Sequence, residues 1–122
     1  MIGLAFALGA MAVGSLVLVI IGHKATLGML SPNRWAGIRT PYTYSSDEAW
    51  YTTHRHAGPI MERAGYVVLV GSLACAALAL AGVLGAVATT IAILVLTAIV
   101  LGAAVASWWV GTSRARRELG QR

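Results

Sequence analysis

The chain has 122 residues, 58% of them hydrophobic and only 11% charged, against about a quarter charged in an ordinary soluble domain. That deficit, with a positive mean hydropathy of +0.77, excludes a conventional soluble fold. The formal net charge of +5 needs no nucleic-acid partner, because its position along the chain explains it.

Residues 1–22 (MIGLAFALGAMAVGSLVLVIIG) contain no ionisable side chain and are long enough for one membrane span, which takes roughly 20 apolar residues. We place that span at about 2–21. A cleaved signal peptide carries positive charge ahead of its apolar run. Here none precedes it and Lys24 follows, so the segment reads as an uncleaved span. Gly3, Ala7, Ala10 and Gly14 lie about four apart, as do Ala98, Gly102 and Ala106 further on. Small residues at that spacing let helix backbones approach closely in lipid.

Residues 23–63 form the polar connection. Pro32 disfavours helix at the residue before it, Gly37 permits unusual backbone angles, and Pro41 pushes Thr40 toward an extended conformation. Residues 31–44 therefore read as a structured loop. Ser45 followed by Glu48 is a capping-box signature, and Asp47 and Glu48 suit a helix N-terminus. With Gly58 and Pro59 as a stop, the sequence predicts a short amphipathic helix over about 46–57. Asp47, Trp50, Thr53, His54 and Ala57 share one of its faces. The expected position is along the membrane interface, with Pro59 in the first turn of the next helix.

Residues 64–113 contain no Asp, Glu, Lys, Arg or His and suffice for two spans, at about 65–83 and 88–110, folded back at Gly82 and Gly85. Cys75 in mid-span reads as a small hydrophobe. Ser72, Thr89, Thr90 and Thr97 are weak polar candidates within the spans, explained equally well as hydroxyls bonded back to their own helices. Tyr66, Trp108 and Trp109 fit an interfacial aromatic belt. The expected fold class is an all-α membrane protein with three transmembrane helices plus the short interfacial helix.

With three spans, the loop 23–63 and the tail 114–122 share one side. All nine Lys and Arg fall there: Lys24, Arg34, Arg39, Arg55, Arg63, Arg114, Arg116, Arg117 and Arg122. Short basic loops stay in the cytoplasm, so the expected topology has the N-terminus outside and the C-terminus cytoplasmic. The same cations attract anionic lipid headgroups.

The candidate chemistry is confined to the loop. Arg34 and Arg39, set between Asn33, Gly37 and Pro41, call for a defined target such as Asp47 or helix-end carbonyls, or else for lipid headgroups. His54 and His56 without a third ligand make a poor metal site. Ser46, His54 and Asp47 are too close in sequence to set a nucleophile opposite a base. The expectation is a binding protein with no enzymatic activity, cofactor or metal. Its candidate binding residues are Asn33, Arg34, Gly37, Arg39, Thr40, Pro41, Tyr42, Asp47, Trp50, Thr53 and His54.

The string NRWAGIRTPYTYSSDEAWYTTHRHAG, residues 33–58, resembles the signature of the SdpI family of bacterial membrane proteins. That pattern is roughly Asn-Arg, Gly-Ile-Arg-Thr-Pro, an aromatic, Thr, Ser-x-Glu-x-Trp and Thr-His-Arg. It falls on Asn33, Arg34, Gly37, Ile38, Arg39, Thr40, Pro41, Tyr42, Thr43, Ser46, Glu48, Trp50, Thr53, His54 and Arg55. The resemblance implies a bacterial inner-membrane location. It also implies immunity to, or sensing of, a membrane-active peptide toxin by binding. The family's founding member also signals by holding a transcription repressor at the membrane, and it carries additional spans. The rival expectation is a small accessory subunit of a larger membrane complex, or a homo-oligomer forming a pore or transport protein.

Overall fold

The computed structural model describes residues 1–120; Arg122 of the predicted tail lies outside them. Three helices follow one another: α1 (Ile2–Thr26), α2 (Asp47–Leu80) and α3 (Ala86–Glu118), with one 3-10 turn at Thr43–Ser45 in the loop between α1 and α2. All three are long and apolar enough to cross a membrane. Among the described residues there is no strand. The central helix, α2, packs along both others, while α1 and α3 scarcely meet.

The predicted interfacial helix over 46–57 does not exist as a separate element. Gly58 and Pro59 lie inside α2, which runs unbroken for 34 residues, about 51 Å at 1.5 Å per residue. A proline inside a helix removes one backbone hydrogen bond and costs about 3 kcal/mol. Here a close contact with the neighbouring helix accompanies the unbroken segment. Gly58 lies against the backbone of α1, where a Cβ on it would stand 2.6 Å from the Thr26 nitrogen and 2.7 Å from the Gly22 oxygen. Continuing α2 through Pro59 preserves this contact, which a break would lose. The polar first half of α2 (residues 47–63) therefore rises out of the apolar layer along the bundle axis, with Trp50 turned inward.

The N-cap is also displaced by one residue. Ser46, in an extended conformation, accepts the Ala49 N–H on its hydroxyl at 3.0 Å. Ser45 belongs to the 3-10 turn, and its hydroxyl donates to the Tyr42 carbonyl. Asp47 and Glu48 still fill the first turn. At the other end, Gly82 (φ +77) closes α2 in a Schellman motif, with Gly82 N–H on the Ala79 carbonyl and Val83 N–H on the Leu78 carbonyl. This is the expected fold-back. Gly28 (φ +70) ends α1 in the same way.

Lipid offers no hydrophobic drive for helices to associate, so close packing and small residues hold the bundle together. The residues that serve this are not the ones whose spacing is most regular. Gly22 and Gly58 form the α1–α2 contact, Gly65 lies against Val19 and Ser15, and Gly111 of α3 lies against Thr53. Gly3, Gly14 and Gly102 have open space beside them and face outward. The hydroxyls of Ser72, Thr89, Thr90 and Thr97 bond back to their own helices as expected. Cys75 is half-buried against the mid-bundle cluster of Leu8, Val68 and Leu96. Residues Arg114–Glu118 extend α3, and the Glu118 carboxylate meets His56 of α2 at 2.8 Å.

Candidate functional site

The loop between α1 and α2 closes over the polar end of the bundle, and Trp50 is the post it wraps. Its ring is fully buried and its indole N–H donates to the Leu30 carbonyl at 2.8 Å. Tyr44 stacks on one side (centroids 5.6 Å apart, planes at 22°) and His54 lies against it at 4.2 Å. The Tyr44 hydroxyl donates to the Asn33 carbonyl at 2.7 Å. One aromatic column thus fixes the start and the end of the loop.

His54 ties the middle. Its Nε2 accepts the Ile38 N–H at 2.8 Å, and its Nδ1 lies 2.7 Å from the Trp50 carbonyl. A backbone N–H can only donate and a carbonyl only accept, so these partners select the neutral ring protonated on Nδ1. His54 lies in the polar part of α2, ten residues before the ion-free stretch that begins at Ala64. Its burial pushes the imidazole below its ordinary value of 6.5, outweighing the Trp50 hydrogen bond, which acts the other way. Gly37 makes the contact possible. Its φ is +106, and a Cβ there would stand 2.6 Å from Nε2.

Side chains set the rest of the loop. Asn33 Oδ1 accepts the N–H groups of Trp35 and Ala36, both at 2.7 Å, while its amide donates to the Ser31 carbonyl at 2.8 Å. Thr43, fully buried, accepts the Thr40 N–H at 3.0 Å and donates to the Ile38 carbonyl at 2.8 Å. Tyr42 is buried, and Arg116 of α3 lies over its ring at 4.2 Å. Thr53 is buried in the α2–α3 seam against Gly111.

The predicted site residues therefore separate into two groups. Gly37, Thr40, Tyr42, Trp50 and His54 form the interior that holds the loop, with Asn33 shaping its turn and Thr53 buried in the α2–α3 seam. Arg34, Arg39, Pro41 and Asp47 are exposed. Asp47 is not the arginines' target: Arg39 donates instead to the Arg34 carbonyl at 2.6 Å, and among the described residues Asp47 makes no ion pair. A short acidic side chain at the first position of α2 serves the helix end and faces solvent. Two residues belong here that sequence reasoning passed over. Trp35 is 86% exposed, the reverse of Trp50, and nothing in its spacing distinguishes the two. Arg116 sits four residues after Thr112 and eight after Trp108 on one helix face, a periodicity that sequence does carry.

A model of the SdpI/YfhL protein family matches residues 29–110, which takes in nearly all of the loop, the whole of α2 and most of α3. No curated protein matches the chain, and no solved structure does.

Proposed function

The chain belongs to the SdpI/YfhL protein family and is a multi-pass membrane protein, and from that premise we propose that it protects a bacterial cell from a membrane-active peptide toxin, or senses one, by binding. The reading rests on one observation above the others. Trp35 stands 86% exposed beside exposed Arg34 and Arg39, on a loop whose backbone is pinned by Asn33, His54 and Trp50. Large exposed aromatics and arginines are the side chains that dominate protein and peptide recognition, and a pinned loop loses little entropy on binding. The proposed mechanism makes and breaks no covalent bond. Loss of one such anchor costs about 2 kcal/mol, or about thirtyfold in affinity. Trp35→Ala and Arg39→Ala should each remove protection in a survival assay against a panel of membrane-permeabilising peptides, at unchanged protein level. Full protection by both variants would dismiss this surface. Because Tyr42 is buried, a photoreactive group for capturing the partner belongs at position 35.

The proposed orientation puts the loop in the cytoplasm of a bacterial inner membrane, with the N-terminus outside. Its support is the confinement of every Lys and Arg to residues 23–63 and 114–122. Reporters fused after Arg122 and inserted at Gly82 should register cytoplasm and exterior respectively; the opposite pattern would invert the surface.

A second reading is an accessory subunit or homo-oligomer, favoured by the outward-facing small residues of α1 and α3. Native mass spectrometry in gentle detergent separates the cases, since a stable hetero-complex or defined oligomer would replace the monomer peak.

A further inference from the structure

Between α3 and the loop lie two cavities that the toxin-binding surface does not use. The deeper one, ≈ 290 Å³, is walled by apolar groups including Ile38, Val100 and Ala104, with Ser107 at its side. The second, ≈ 490 Å³, lies toward the basic end of α3 and is walled by Tyr42, Thr112 and Arg116. Trp108 lines both, and their volumes fall in or near the range of small-molecule sites, roughly 300–1,000 Å³. Val100, Ala104, Trp108, Thr112 and Arg116 succeed one another at four-residue spacing, a ridge that winds around α3 and runs about 24 Å from apolar to cationic.

Three hydroxyls along this path lack partners. Ser107 is 1% exposed and Tyr42 9% exposed, yet the Ser107 Oγ, the Tyr42 hydroxyl and the Thr112 Oγ1 make no hydrogen bond among the described residues. Thr89, Thr90 and Thr97 of the same helix all bond back to the carbonyl four residues earlier, the usual solution for a hydroxyl in a membrane helix. Ser107 and Thr112 do not take it. Buried hydroxyls are almost always satisfied, so three together beside two cavities mark a place where oxygen-rich groups belong. Arg116 completes the set. Its guanidinium is held over the Tyr42 ring, and among the described residues no carboxylate lies within ion-pair distance of it.

We infer that this cleft binds one anionic phospholipid of the surrounding bilayer. An acyl chain occupies the apolar slot against Val100 and Ala104. The ester and glycerol oxygens meet Ser107, Thr112 and Tyr42, and the phosphate meets Arg116. The arrangement is independent of Trp35 and Arg39, so the toxin reading and the lipid reading stand or fall separately.

The test is native mass spectrometry of the full chain, titrated in detergent with dioleoyl-phosphatidylglycerol, dioleoyl-phosphatidylcholine or inorganic phosphate. The expected result is one phosphatidylglycerol per chain, retained in preference to phosphatidylcholine and not displaced by phosphate. Arg116→Gln should weaken phosphatidylglycerol about fivefold, the worth of one arginine near an anionic surface, while Arg116→Lys keeps most of the affinity. Ala104→Phe, at an exposed position on the wall of the slot and outside the buried helix seams, should abolish retention by filling the slot. Equal retention of both lipids would overturn the proposal. So would displacement by phosphate, which reveals a bare anion site, or an equal loss in exposed Arg114→Gln, which reveals diffuse surface attraction.

Discussion

Gly58→Ala is expected to cost about 2 kcal/mol of stability, although alanine is the better helix former. In an unconstrained helix the exchange gains up to about 1 kcal/mol. At Gly58 the new Cβ meets the Thr26 nitrogen at 2.6 Å and the Gly22 oxygen at 2.7 Å. Both are backbone atoms of a rigid helix and cannot swing aside, so α1 must move bodily away from α2. Overpacking of this kind costs about 1–3 kcal/mol or more, and the displacement also disturbs the side chains stacked along the seam, Ala25, Ala57 and Met61 among them. Thermal unfolding in detergent, followed by circular dichroism, reads the loss. Gly102→Ala is the control, since its Cβ meets nothing within 4 Å, and it should be neutral or slightly stabilising. If the two variants melt together, the close α1–α2 contact is not what carries Pro59 inside a continuous helix.

The second large effect is expected at Gly37. Alanine there must adopt φ +106, a backbone strain of about 1–3 kcal/mol, and its Cβ falls 2.6 Å from His54 Nε2. The imidazole is displaced from the Ile38 N–H, leaving a buried donor unpaired at about 1–3 kcal/mol. Even about 3 kcal/mol in total raises the open population of the loop more than a hundredfold. Trypsin should then cut after Arg34 and Arg39 about a hundred times faster than in the unsubstituted protein, since cleavage of a transiently opened segment tracks its population. The helices should keep their circular-dichroism signal. An unchanged nicking rate would mean that the His54–Ile38 hydrogen bond does not hold the loop.

The same bond makes the loop sensitive to acid. In the fold His54 is neutral and its proton affinity is reduced, so the unfolded or opened state binds the proton more readily. Stability is fully present above the ordinary value of 6.5 and is lost as pH falls below it toward the folded-state value. A nitroxide label at Trp35→Cys, in a Cys75→Ala background, should become more mobile over that interval. The decisive comparison is His54→Phe, in which the loop is loose at every pH and the transition disappears.

Much of the molecule follows from the sequence without any tertiary information. Two ion-free stretches of the right length dictate three spans, and the confinement of every Lys and Arg to two segments groups those segments on one side. Gly82 marks the turn, and the dense string from Asn33 to Gly58 marks the family. These properties are local or compositional, because hydropathy and charge act residue by residue on transfer into lipid. Whether Pro59 ended a helix depended on what Gly58 touched, and that contact comes from α1, some 36 positions earlier in the case of Gly22. Which tryptophan was buried depended on the chain returning over Trp50 so that the Leu30 carbonyl could accept its N–H; Trp35, equally aromatic, was left outside. Arg116 joined the site only because antiparallel packing set the basic end of α3 against Tyr42. The sequence by itself determined what crosses the membrane, and the tertiary structure alone decided which polar residues face one another, because hydrogen bonds and close backbone contacts join positions that no sequence periodicity relates.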